Sequence, residues 1–274
     1  MLTQRQRQAA SDLLWELWQQ GRRVAELPAD LRPATREDGY AVQALLERRS
    51  AYPVFGWKIA ATSHAGQQHI GVDGPLAGRL LRERVATGGS ALKLEANHMR
   101  VAEPEFAFRI GRSLIPRASS YSMDEVMAAV DALHPAIEVP DSRYDDFARV
   151  GAAQLIADNA CAHQFVLGPA AMAPWRTRNL AEHVVTGNVA KRLRREGKGA
   201  NVLGDPRAAL TWLANELSRL GITLAAGQVV TTGTCVPPLP VEPGDHTTAD
   251  FGELGGVELS FDAEQPMQES ENRN

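Results

Sequence analysis

From Phe55 to Phe261 the chain consists of short runs rich in Val, Ile and Phe, broken repeatedly by Gly and Pro. This texture limits the fold more than any other feature. The runs read as strands at residues 56–61, 105–110, 135–139, 164–167, 183–191, 228–232 and 257–261. Two helices interrupt them. One opens at Ser122, with Asp124 and Glu125 in its first turn and Val126, Met127, Val130 and Leu133 as its apolar face. The other has Asp205 as N-cap and Pro206 at its first position. It runs through Leu210, Leu213, Leu217 and Leu220 and stops at Gly221. Irregular strands with so few helices argue against repeating βαβ units and a doubly wound sheet.

Ahead of the strands the pattern is helical. Leu13, Leu14, Leu17 and Trp18 form one stripe, closed by Gly21. Thr35 is the N-cap of a second helix with Ala41, Val42, Leu45 and Leu46 as its stripe. Three regions are therefore expected: a helical region over 1–54, a mixed-β core over 55–262, and a disordered tail over 263–274, whose apolar residues are only Ala263 and Met267. The 274 residues suffice for one large domain or two small ones. A net charge of −4 gives no general attraction to nucleic acid or to an anionic membrane. The basic run 191–198 lacks interleaved aromatics and reads as a solvated hairpin. No apolar run is long enough to span a bilayer, and the N-terminus lacks the apolar stretch of a signal peptide. With two cysteines, Cys161 and Cys235, and no CxxC pair, a reducing cytoplasm is expected.

Chemistry concentrates in Val101-Ala-Glu-Pro-Glu-Phe-Ala-Phe-Arg-Ile110 and Pro135-Ala-Ile-Glu-Val139. In an extended segment, residues two apart share a face. Glu103, Glu105 and Ala107 then point one way, and Phe106, Phe108 and Ile110 point into a core. Acids inside apolar strands need neutralising, and Glu103, Glu105 and Glu138 together suit a hard dication such as Mg²⁺ or Mn²⁺. A solvated face of an antiparallel sheet is the other reading. Lys58, in Gly56-Trp-Lys-Ile-Ala60, either reaches water or faces the acids as a proton-transfer group. Arg143 either pairs with Asp141 or holds a second acid or a substrate carboxylate. Asp158 and Asn159 are turn formers or a buried pair. The segment Thr231-Thr-Gly-Thr234 is a plain turn or a loop aiming N–H groups and hydroxyls at an anion. His64, His69 and His98 read as surface or capping residues. The run 251–257 reads as a hairpin turn, and Walker A, HExxH and GxSxG motifs are absent.

With these segments in view, the chain resembles the 2-keto-4-pentenoate hydratase branch of the fumarylacetoacetate hydrolase superfamily, which also holds 4-oxalocrotonate decarboxylases. The resemblance runs from about Arg36 to Phe261. It is carried by Gly39-Tyr-Ala-Val-Gln43, Gly56-Trp-Lys-Ile59, Gln68-His-Ile-Gly-Val72, Glu103-Pro-Glu-Phe-Ala-Phe108, Pro135-Ala-Ile-Glu-Val-Pro-Asp-Ser-Arg143, Ala157-Asp-Asn-Ala160, Leu203-Gly-Asp-Pro206, Gly233 and Pro243-Gly-Asp245. It implies an α+β fold, with a mixed β-roll or barrel core behind a helical N-terminal region. It also implies Mg²⁺ or Mn²⁺ on Glu103, Glu105 and Glu138, and a proton-transferring Lys58. Arg143, Asn159, Thr232 and Gly233 are the candidate contacts to a small 2-oxo acid. The implied activity is water addition to a 2-hydroxy-2,4-dienoate in aromatic meta-cleavage catabolism. The alternatives are decarboxylation of a 2-oxo-enedioate and a non-catalytic binding or scaffold role. The resemblance further implies a homo-oligomer and association with a pathway decarboxylase or hydratase. The chain departs from the branch at Leu76-Ala77, where an acidic residue follows the proline, and at Ile59-Ala-Ala-Thr62, where Gly-Leu-Thr is usual.

Overall fold

The computed structural model describes residues 1–94 and 96–263. The tail expected to be disordered lies, from residue 264 onward, outside the described residues. Helix α1 (Gln4–Gln20) opens on a Thr3 capping box with Gln6 and closes on Gly21 at φ +60°. Helix α2 (Arg36–Gln43) starts at the N-cap Thr35.

The strands are β1 (Gly56–Ala60), β2 (Leu76–Leu80), β3 (Val85–Thr87), β4 (Ala91–Leu92), β5 (Val101–Ile110), β6 (Val130–Val139) and β7 (Gln164–Leu167). They continue with β8 (Val184–Val189), β9 (Leu193–Lys198), β10 (Val229–Thr234), β11 (Leu239–Pro240), β12 (His246–Asp250) and β13 (Gly256–Phe261). Between them lie α3 (His64–His69), α4 (Met123–Met127), α5 (Ala152–Ala157) and α6 (Pro206–Arg219).

The first sheet has the order β2-β1-β10-β5-β6-β7-β3, with β11 beside β5. Its pairs are antiparallel except β1 with β10 and β3 with β7. Its two outer strands, β2 and β3, are joined by residues 81–84 alone. Laid flat, the order would separate them by roughly 29 Å at the usual strand spacing. Four connecting residues reach at most roughly 18 Å. The sheet must therefore roll, and it does so around Leu80, Ala107, Ala136, Phe165 and Val229. Its outer side carries Phe106, Phe108, Ile110 and Ile137 into the main core, which it shares with α6 and with the second sheet, β4-β13-β12-β8-β9.

Two sequence expectations fail for identifiable reasons. The helix opening at Ser122 ends at Met127, and Val130 and Leu133 belong to β6. Their spacing matches a helical stripe by coincidence, and ten-residue pairing with β5 overrides it. The single strand over 183–191 is the first arm of a hairpin, β8–β9, which turns at Ala190 with φ +46°. The basic run is its exposed second arm, as expected, with Lys198 bound to Glu182 at 3.0 Å. Among the described residues no helix is long and apolar enough to cross a membrane.

Candidate functional site

The register of β5 and β6 places Glu103 directly opposite Glu138, and Glu105 opposite Ala136. Opposed residues of an antiparallel pair have their Cβ atoms only about 5 Å apart. Glu103, Glu105 and Glu138 consequently share the inner face of the roll, and one oxygen from each lies within 4.8 Å of the others. Glu138 and Glu105 are buried and Glu103 is half-buried.

Strand β10 borders β5 on its other side, with an irregular register between Thr231 and Thr234. Gly233, at φ +98°, turns the backbone there. The result is a two-donor clamp on one acid. Thr231 Oγ1 donates to Glu105 Oε2 at 2.5 Å, and the Gly233 N–H donates to the same oxygen at 2.8 Å. The loop does aim its donors at an anion, and that anion is Glu105. Glu105 Oε1 and Glu138 Oε1 accept no hydrogen bond. Buried carboxylate oxygens left without donors are expensive, and three acids converging on them form a donor set that fits a hard dication.

A Cβ at position 233 would stand 2.1 Å from Thr62 Oγ1. Gly233→Ala is therefore expected to cost about 1–3 kcal/mol of stability and to loosen the clamp. An unchanged melting temperature would show that the turn is not constrained.

Lys58 on β1 supplies the opposing charge. Its Nζ lies 3.1 Å from Glu138 Oε2 and donates to the Ala160 carbonyl at 3.0 Å. Burial alone would push this ammonium down, but Glu138 and then Glu103 outweigh it and hold Lys58 above the ordinary lysine range. Burial, then the Glu138 charge, lift Glu103 up to about 7, against the pull of Lys58. Burial raises Glu105 well above the usual carboxylate range, with Glu138 and Glu103 adding to it. Burial also raises Glu138, with Lys58 opposing. Lys58 is an ammonium here, and the acid cluster holds more protons than isolated carboxylates would.

The carbonyl that receives Lys58 belongs to an unusual turn. Asn159, Ala160 and Cys161 have φ of +55°, +50° and +61°. Left-handed backbone costs L-residues about 1–2 kcal/mol each. Asn159 secures it: its Oδ1 accepts the Arg79 N–H at 2.6 Å and its Nδ2 donates to the Arg79 carbonyl at 2.8 Å. Cys161 closes the same turn, but burial pushes its thiol up to about 12, so it is no thiolate nucleophile.

Beside these groups is a cavity of about 500 Å³, lined by Lys58, Glu103, Gly233, Ala160 and a set of mostly apolar residues. Three of the four candidate substrate contacts are not on its wall. Arg143 is committed to Asp158 through Nε, and its backbone N–H donates to Asp158 Oδ2 at 3.0 Å. Its guanidinium also lies 4.6 Å from the Trp18 ring. Asn159 is consumed by Arg79, and Thr232 Oγ1 donates to the Phe106 carbonyl at 3.0 Å. Gly233 alone of the four borders the cavity. Of the two departures, Ile59 to Thr62 line it, whereas Leu76 and Ala77, paired with Ala60 and Ile59 across β2 and β1, are buried and not part of its wall. The Ala160 carbonyl is the site group that the sequence did not single out. His69 is exposed on α3, as expected, yet also borders the cavity and meets the Phe147 ring edge-on at 6.2 Å.

Comparison with known proteins places this geometry. The chain is 32% identical over 269 residues to a 2-keto-4-pentenoate hydratase of Paraburkholderia xenovorans, covering 96% of this chain and 98% of that one. It is 31% identical over 244 residues to a 4-oxalocrotonate decarboxylase of a Pseudomonas species, covering 87% and 90%. Its fold matches a solved 4-oxalocrotonate decarboxylase from Pseudomonas putida, complexed with magnesium and adipate, at a TM-score of 0.87 and 28% identity, covering 95% of this chain and 99% of that one. Residues 76–261 match the family described as fumarylacetoacetate (FAA) hydrolase C-terminal, and the chain belongs to that family.

Proposed function

We propose that this protein is a Mg²⁺- or Mn²⁺-dependent hydratase that converts a 2-hydroxy-2,4-dienoate and water to a 4-hydroxy-2-oxo acid. The observation that carries this is the convergence of three carboxylate oxygens within 4.8 Å, beside the Lys58 ammonium. Glu103, Glu105 and Glu138 would hold the ion, which would supply Lewis-acid stabilisation of negative charge on the substrate's 2-oxygen. Lys58 Nζ, anchored by Glu138 and Ala160, holds the mobile proton. It delivers that proton to C5 of the diene as the 2-hydroxyl gives up its own, which recharges the amine. The resulting 2-oxo-3-enoate takes the oxygen of water at C4 and a proton at C3. The names of the sequence relatives support this reading. The same reading carries a homo-oligomeric state, association with a pathway decarboxylase and a cytoplasmic location.

The likeness to 4-oxalocrotonate decarboxylases favours a second reading, loss of CO₂ from a 2-oxo-enedioate. One experiment separates them. Incubation with 2-hydroxypenta-2,4-dienoate and Mg²⁺ is expected to bleach the diene and yield 4-hydroxy-2-oxopentanoate. CO₂ release from 4-oxalocrotonate, with the diene untouched, would favour the decarboxylase.

Metal binding is also linked to pH. In the metal-free fold Glu103 is raised from 4.5 to about 7, so its contribution to stability is complete below 4.5 and lost as pH climbs through about 7. A dication replaces the protons and restores what ionisation removes. The rise in Tm on adding Mg²⁺ is expected to be larger near about pH 8 than near about pH 6, by differential scanning fluorimetry. A larger rise at the acid end would contradict the assignment.

A further inference from the structure

The cavity wall changes character in one step on each strand that frames the acids. On β5 the residue two before Glu103, on the same face, is Val101. Two past Lys58 on β1 is Ala60, and two past Glu138 is Pro140. All three line the cavity, and each step of two residues moves about 7 Å along the strand. Beyond them Met99, Ile70 and Phe147 complete the wall. Among the described residues of this wall, Lys58 is the one fixed cation, and it is already held by Glu138. His69 is the remaining basic side chain. The nearby hydroxyls carry no charge, and those of Ser63 and Thr234 are engaged: Ser63 Oγ accepts the Gly66 N–H at 3.0 Å and Thr234 Oγ1 donates to the Val236 carbonyl at 2.5 Å.

We infer that the far end of the substrate is an uncharged hydrocarbon tail, and that a terminal second carboxylate is excluded. The inference rests on the reading that the 2-oxo acid end lies at the acid cluster. From C2 to C6 a chain extends roughly 5 Å. That places the distal carboxylate of a six-carbon dioate against the part of the wall formed by Val101 and Pro140, where no cation meets it. A carboxylate there loses its water without a partner. A methyl or longer alkyl group at the same place buries apolar surface against Ile70, Met99 and Phe147. The volume agrees, since a cavity of roughly 150 Å³ already holds benzene and this one is about 500 Å³. Specificity is therefore set by residues outside the catalytic strands, with Ile70 and Phe147 facing the tail.

The test uses unreactive 2-oxo acids, so that binding is read apart from turnover. By calorimetry on the full-length protein with Mg²⁺, 2-oxohexanoate is expected to bind about tenfold or more tightly than 2-oxohexanedioate. 2-Oxooctanoate should gain up to about fourfold for each further methylene it buries. Ile70→Arg, a change at a half-buried position of the cavity wall, should raise the dioate's affinity relative to the monoacid's. Equal or tighter binding of the dioate by the unmodified protein would overturn the inference, as would failure of both acids to bind. An unchanged ratio in Ile70→Arg would also count against it. Dienoate turnover is followed alongside. Monoacid preference without turnover leaves the inference standing and removes the hydratase reading. Turnover with a preference for the dioate does the reverse.

Discussion

Glu105→Gln is expected to abolish metal-dependent turnover while leaving the fold intact. The side chain's Oε2 is clamped by Thr231 and Gly233, and its Oε1 faces the other two acids with no donor. Glutamine keeps an acceptor for the clamp and removes the charge. Affinity for hard cations follows the count of ligand charges, so Mg²⁺ binding should weaken about 10²-fold or more, and turnover should fall with it. The metal-free variant should melt no lower than the parent, because one fewer acid is confined beside Glu103 and Glu138. Calorimetry and turnover on the same preparation check both halves. Full activity in the EDTA-treated variant would remove Glu105 from the metal centre.

Lys58→Met separates the proton from the metal. Methionine approximates the volume of the lysine stem, so packing is largely conserved. Removing a positioned proton donor typically costs about 10²–10⁴-fold in rate. Mg²⁺ affinity should hold or rise, since a cation 3.1 Å from Glu138 no longer competes with the ion. The expected pattern is a collapse of kcat with metal binding retained. Loss of both together would mean that Lys58 serves the acids' arrangement, and unchanged kcat would remove it from the mechanism.

The acids were legible because their relation is local. Glu103 and Glu105 share a face by strand periodicity, and the strand-like run around Glu138 needed only one pairing to meet them. The place of Lys58 was less accessible. It depends on β10, which comes from residues 229–234, sitting between β1 and β5. Strand order of that range is written in tertiary packing, and only the family resemblance pointed to it. The Thr231–Thr234 loop was readable as an anion-directed loop, but its anion is part of the protein. Arg143 and Asn159 carry functional-looking side chains that the fold spends on Asp158 and Arg79. The cavity's far wall gave no signal in periodicity or spacing. The segment His64-Ala-Gly-Gln-Gln-His69 has no apolar stripe, and none of its residues is buried.

The left-handed turn at Asn159–Cys161 has a consequence for how the site tolerates genetic change. The Ala160 group that grips Lys58 is main chain, so no exchange of the Ala160 side chain can delete it. Drift at this point can act only by bending the peptide, which makes neighbouring positions guardians of an atom they do not own. Asn159 is the foremost of these, because its amide reads both polar groups of Arg79 at once, and aspartate lacks the amide donor.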